Sequence, residues 1–165
     1  MLSNIKKRKG EGFTIIEVLI VLAIAGLILL IVFLAVPALQ RNARNTQRKN
    51  DASAVLGSVQ EYADNNGGGL PSVVTVDTTT NTAYMCSSSP CAAANGTPAK
   101  VGFFNATATS VQFATTVPTL SSTSDTLYVM KSFSCSGNTP QPGSQRSVIV
   151  YYAVEPNATP QCVGS

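Results

Sequence analysis

The sequence predicts an α+β fold, in which one long N-terminal α-helix packs on a C-terminal antiparallel β-sheet. Three observations predict it: an uncharged apolar run at residues 18–39, apolar residues at the helix period in residues 40–66, and short β-prone runs between turn-rich stretches in residues 67–165. A basic segment, residues 1–12, comes first. We predict that the helix is transmembrane in its first half, residues 13–39, and amphipathic in its second.

The composition excludes several classes of protein. The formal net charge is +3, but four basic residues lie together at positions 6–9, and the chain after residue 12 has equal numbers of basic and acidic side chains. This balance gives no electrostatic reason to expect nucleic-acid binding. The chain has no His, which excludes His-based catalytic triads and His-based metal sites.

The apolar run is long enough to cross a membrane. Residues 18–39 read VLIVLAIAGLILLIVFLAVPAL, and a spanning helix needs roughly 20 such residues. The basic cluster before it is expected to stay in the cytoplasm. A secretory signal peptide looks similar, but its apolar region is only about 7–15 residues long. In addition, the one Ala-x-Ala triplet, residues 23–25, lies inside the run and not after it. We therefore predict a single-pass precursor in the cytoplasmic membrane.

Glu17 is an unusual residue for a plain membrane anchor. It follows Phe13-Thr14-Ile15-Ile16 within the apolar stretch, where a carboxylate costs about 3 kcal/mol or more. Carboxylates at such depth usually have a partner. No basic residue lies nearby on the same helix face once the leader is gone, so we expect the partner to come from another molecule or from a charge made by processing.

The segment KKRKGEGFTIIEV, residues 6–18, resembles the class III signal of type IV pilins and pseudopilins. The pattern of that family is a short basic leader ending in Gly, then Phe, Thr, two apolar residues and Glu, then a long apolar helix. Gly12, Phe13 and Glu17 match it here, and Gly26 matches a common helix glycine. Many members have a proline a few residues earlier in this helix, where this chain has Phe33-Leu34. A helix kink at that position is therefore not expected here.

The resemblance implies chemistry that other proteins perform. A prepilin peptidase would cut between Gly12 and Phe13, and the new amine of Phe13 would be N-methylated. An inner-membrane assembly platform with an ATPase motor would then move the subunit from the membrane into a helical homo-oligomeric filament on the cell surface. Cleavage creates a positive amine one helical turn before Glu17. We expect the amine of an incoming chain to meet Glu17 of a neighbour, because an unpaired buried charge is costly.

The helix is predicted to continue beyond the membrane until the glycines and proline of residues 67–71 end it. Its amphipathic face is formed by Ala52, Val55, Leu56, Val59, Tyr62 and Ala63. Arg41, Arg44 and Arg48 form a basic stripe, for which two interpretations stay open. The stripe is either a face in contact with solvent or lipid headgroups, or it pairs between subunits with Asp51, Glu61 or Asp64.

The β-prone runs lie in a Ser/Thr-rich region, residues 67–165, which we predict to be globular. They cover residues 73–76, 101–104, 111–117, 127–130 and 148–154. The last of them, VIVYYAV, is predicted to be a central strand. The Ser/Thr content leaves partial disorder as the alternative.

Four cysteines, Cys86, Cys91, Cys135 and Cys162, follow the apolar run and are expected on the exported side. They allow three pairings, of which local spacing favours Cys86–Cys91 and Cys135–Cys162. A zinc site of four thiolates is the competing interpretation, but the spacing of the last two is not that of a zinc knuckle and export favours oxidation. We predict disulfides and neither a metal nor a cofactor. The second pair resembles the disulfide-bounded C-terminal region of many pilins.

No catalytic constellation is visible in the sequence. Asp77, Asp125 and Glu155 form no spaced pair, and neither a Gly-x-Ser-x-Gly elbow nor a phosphate-binding loop is present. We predict a structural protein and not an enzyme: a major-type pilin in a surface filament used for adhesion, motility or DNA uptake. A pseudopilin of a type II-like secretion system, or a minor or tip pilin that acts as a binding module, are the alternatives.

Overall fold

The computed structural model describes residues 12–77, 80, 82–89, 91, 98–101, 109–122 and 125–164. The chain divides into two compact units, Met1–Gln40 and Arg41–Ser165. Its helix is α1 (Ile15–Asn65). Its strands are β1 (Val73–Asp77), β2 (Thr82–Cys86), β3 (Ala99–Val101), β4 (Ser110–Ala114), β5 (Thr126–Lys131), β6 (Phe133–Ser136), β7 (Thr139–Pro142), β8 (Val148–Val154) and β9 (Thr159–Gly164).

In the first unit, α1 is apolar on every side. Its most apolar 18-residue window has a mean hydropathy of 3.4, so by length and composition the helix can cross a membrane. Its large apolar side chains are all exposed, and the smallest exposed fraction among them is 39%, at Val36. Phe13, just before the helix, is 87% exposed. Pro37 lies inside the helix, where its ring removes one backbone hydrogen bond without ending the element.

In the second unit, α1 buries one face. The buried residues recur every three or four positions, as one side of a helix requires: Arg48, Asp51, Ala52, Val55, Ser58, Val59 and Tyr62. Four of the six residues predicted for the amphipathic face are among them, and Leu56 and Ala63 are half-buried. The helix ends in a Schellman motif, in which Gly67 has a positive φ of 64° and the Gly68 N–H donates to the Ala63 carbonyl at 2.7 Å.

The strands form three sheets, with the orders β1-β2-β3, β4-β5-β8-β9 and β6-β7. All pairs are antiparallel except β4 with β5, which is the one parallel pair among the described strands. The α+β class is confirmed, with three sheets in place of one. The predicted central strand is β8, which lies between β5 and β9.

The apolar run of β8 is continuous because both of its faces are covered. Val148, Val150 and Tyr152 pack in one core with the buried face of α1, while Ile149 and Tyr151 pack in a second core. The second core also contains Met130 and has Phe133 of β6 against it. The second unit therefore has a helix, a central sheet and a small hairpin in successive layers.

Several strands differ from the sequence-based expectation. The run predicted at 111–117 begins one residue earlier and ends at Ala114, and most of the run at 101–104 lies outside the described residues. Strands β2, β6, β7 and β9 were not predicted. A turn at Gly137-Asn138 joins β6 to β7. Strand β7 was not predicted because it contains two prolines, and proline lacks the N–H of a ladder hydrogen bond.

Two disulfides, Cys86–Cys91 and Cys135–Cys162, join Cα atoms 5.6 and 5.8 Å apart. They are the pairing that local spacing favours. The second ties β6 to β9, so the hairpin is held covalently on the edge strand of the four-stranded sheet. All four sulfur atoms are used in these bonds, which leaves no thiolate for zinc.

Candidate assembly site at the helix start

α1 begins with a capping box formed by Thr14 and Glu17. The Thr14 backbone N–H donates to Glu17 Oε2 at 2.8 Å, and the Thr14 hydroxyl donates to the same oxygen at 2.7 Å. In return, the Glu17 N–H donates to Thr14 Oγ1 at 3.4 Å. These bonds occupy N–H groups that a helix start leaves without partners. The positive end of the helix dipole also favours a carboxylate at this position.

Glu17 thus has a hydrogen-bond partner in its own chain. We had expected only a charged partner, from another molecule or from processing, so the neutral Thr14 was missed, although the Thr-x-x-Glu spacing is a known signature of a capping box. Among the described residues, nothing donates to the other carboxylate oxygen, Oε1 of Glu17. The capping box therefore fixes the carboxylate while one of its oxygens stays accessible.

Gly12 and Phe13 lie in the exposed, non-helical residues immediately before α1. The peptide bond between them is therefore not part of the helical hydrogen-bond ladder. Phe13 and Glu17 are one turn apart and, with Val18, Val21 and Leu22, line a shallow apolar surface. The residues predicted for cleavage, methylation and assembly are thus neighbours on one end of the helix.

Residues 7–33 match the family model described as the prokaryotic N-terminal methylation motif. The chain carries the class III signal of type IV pilins and pseudopilins. This match supports a pilin- or pseudopilin-type protein, and the motif implies processing by a prepilin peptidase and filament assembly. With the apolar helix, it fits a membrane-anchored precursor. No curated protein and no solved structure matches the chain.

Beyond the class III signal, charged groups of the second unit converge on Arg48, whose side chain is 5% exposed. Its guanidinium forms ion pairs with Asp125 and, at 3.4 Å, with Glu155. It also donates to the carbonyls of Ala153 and Ser122, at 3.2 and 3.3 Å. Every side of this buried cation therefore has an acceptor, as burial of a charge requires.

Arg44 forms a two-pronged ion pair with Glu155, at 2.8 and 2.6 Å. Its hydrogen bonds lower the pKa of Glu155, and the charges of both Arg44 and Arg48 act in the same direction. Asn45 exchanges two hydrogen bonds with the Glu155 backbone, at 3.1 and 2.9 Å. The turn between β8 and β9 is thereby fastened to α1.

This arrangement corrects both interpretations at Arg48 and the inter-subunit pairing interpretation at Arg44. Arg48 is buried rather than solvated, and both Arg44 and Arg48 pair within their own chain and not with Asp51, Glu61 or Asp64. Spacing could not reveal it, because Asp125 and Glu155 are distant in sequence and only the fold brings them together.

Asp51 is the most buried carboxylate described, with 0% exposure. Gln47 Nε2 donates to one of its oxygens at 2.8 Å, and the Thr109 hydroxyl donates to the other at 2.7 Å. Burial raises the pKa of Asp51, and these hydrogen bonds oppose the rise. Asp51 is therefore a core residue and is not available to another subunit. Within the described parts of the chain, no three His, Cys, Asp or Glu residues cluster as a metal site would require.

Proposed function

We propose that the chain is a major-type structural subunit of a type IV pilus. Residues 1–12 are a leader that a prepilin peptidase removes, residues 13–39 form the membrane and then the filament-core segment, and residues 40–66 continue the helix. Residues 67–165 form the exported globular region. The observation that carries the proposal is the class III signal at the start of an apolar helix whose side chains are exposed on all sides.

The apolar segment requires a cover, which in the precursor is lipid. Copies of the same helix can replace the lipid and keep the same apolar area out of water, where its exposure would cost about 25 cal/mol for each Å². Packing one copy on the next by a non-closing contact generates a filament and not a ring. The inner-membrane platform and ATPase motor supply the work of extraction, and the filament is located at the cell surface.

Glu17 sets the register of this assembly in our proposal. After cleavage, Phe13 carries a free, then N-methylated, amine. The capping box holds Glu17 Oε2, so Oε1 faces the amine of an incoming subunit. Pairing offsets the desolvation of both charges, whereas either one alone in an apolar surrounding is penalised.

Two measurements test the proposal. Mass spectrometry of sheared surface filaments should find this chain beginning at an N-methylated Phe13, and electron microscopy should show long fibres built mainly of it. A mature protein that begins at Met1 would refute the proposal. Fibres that persist after deletion of the gene would assign the chain to a pseudopilin or minor-pilin role instead.

A matched pair of variants isolates the charge of Glu17. Glutamine can also close a capping box, so Glu17→Gln keeps the helix start while removing the charge. Glu17→Ala removes both. We expect both variants to accumulate in the membrane without filaments. Normal filament yield from Glu17→Gln would show that the cap alone is needed and would reject the role of the charge.

A further inference from the structure

The second unit exposes a polar stripe along α1, opposite the buried face. It consists of Thr46, Lys49, Ser53, Gly57, Glu61 and Asp64, and it is called here the outward stripe. At 3.6 residues per turn, these positions fall within one third of the helix circumference. The outward stripe contains no large apolar side chain. Packing in the hydrophobic core of the second unit therefore does not determine the residue types at these six positions.

Gly57 is the first sign that this stripe has a partner. Glycine inside a helix is unfavourable relative to alanine, because the unfolded chain gains conformational freedom. A Cβ at Gly57 would have nothing within 4 Å and its φ is not positive, so the subunit's own fold does not require glycine there. A glycine at an exposed helix position also permits the close approach of another backbone.

Charge is the second sign. Lys49 lies at one end of the outward stripe, and Glu61 and Asp64 lie at the other. In the described part of the chain, these three side chains form no ion pair, while Arg44 and Arg48 are already paired with Asp125 and Glu155. Two copies side by side in register would oppose Lys49 to Lys49. Displacement by 12 residues, about 18 Å, instead brings Lys49 opposite Glu61 and near Asp64.

We propose that the outward stripe is the docking surface for a second, like-oriented copy of this chain, with Lys49 of one copy opposite Glu61 and Asp64 of the next. Near this displacement, Thr46 of one copy lies over Gly57 of the other, so two small residues meet about one helical turn before the charged contact. The contact is heterologous and repeats along an open assembly. The inference rests on the proposed filament, for which it names one subunit contact.

Charge reversal in the full chain, expressed in its own cells, tests the contact. Lys49→Glu, and separately the double variant Glu61→Lys with Asp64→Lys, should each lower the yield of sheared filament roughly fivefold or more at an unchanged membrane pool. Combining all three substitutions should restore the yield. Lys100→Glu is the matched control, because Lys100 is an exposed lysine on β3, and it should leave the yield unchanged.

Cysteine cross-linking tests the direction of the contact. A chain with both Lys49→Cys and Glu61→Cys should give a ladder of oxidised multimers in filaments, and Lys49→Cys with Asn138→Cys, on the exposed β6–β7 turn, should not. A single closed dimer band would show an antiparallel contact and overturn the proposal. If the wild type forms filaments and Lys49→Glu gives a normal yield of them, this contact alone is overturned. If the wild type forms no filaments, the proposed function is overturned.

Discussion

Replacement of Arg48 by methionine should destabilise the second unit strongly. Methionine retains most of the apolar stem that packs between α1 and the strands, so the change removes mainly the charge and its bonds. The ion pairs with Asp125 and Glu155 and the hydrogen bonds to the Ala153 and Ser122 carbonyls are all lost. Glu155 keeps Arg44, but Asp125 is left without the guanidinium.

The structure sets the size of this loss. Breaking a fully buried ion pair costs about 3–5 kcal/mol, because the remaining charge stays desolvated. Here the side chains left behind are 36% exposed at Asp125 and 15% exposed at Glu155, so water relieves part of the penalty. We therefore expect the free energy of unfolding to fall by about 2–3 kcal/mol.

Urea denaturation of the full chain in detergent, followed by tyrosine fluorescence, measures this loss. The chain has five tyrosines and no tryptophan, and all five lie in the second unit, so the signal reports that unit. Lys49→Met is the matched control, because Lys49 is an exposed cation on the same helix; it should change stability by less than about 0.5 kcal/mol. Equal losses from the two variants would refute the reasoning about the buried cluster.

Four further predictions use the same assay. Burial raises the pKa of Asp51 above 3.8, so its stabilising contribution is complete below that pH and is lost as the pH rises through the folded pKa. Asp51→Asn should therefore gain on the wild type as the pH rises above about 4, and a difference that stays constant with pH would contradict this. Glu155 has a lowered pKa, so the advantage of the wild type over Glu155→Gln should instead shrink as the pH falls below 4.5. Removal of Cys135–Cys162, with a sequence separation of 27, should cost about 3.5 kcal/mol, against about 2 kcal/mol for Cys86–Cys91, with a separation of 5; the reverse order would refute the loop-entropy argument. Gly57→Ala should stabilise the subunit by about 0.5–1 kcal/mol, because an added Cβ meets nothing within 4 Å in its own chain; a loss of stability would contradict this.

Local and periodic features were predictable. The methylation motif, the apolar run and the buried face at Ala52, Val55, Val59 and Tyr62 each depend on residues near one another in the chain. Strand β8 was found with its full bounds because both of its faces are buried and its residues form one continuous apolar run. The strands with short or proline-containing sequences, β7 above all, carried no such signal.

The sequence by itself determined three features: a helix of membrane-spanning length, the methylation motif at its start, and the glycine turn that ends it before a β-rich region. These features depend on hydrophobic periodicity and on helix-ending residues, which act over a few positions of the chain. Only the tertiary structure decided the roles of the charges. It placed Asp125 and Glu155 around Arg48, buried Asp51 beneath Thr109, and left Lys49, Glu61 and Asp64 outside. The physical reason is that an ion pair between residues about 75 to 110 positions apart depends on how the chain closes on itself, which spacing along the sequence does not encode.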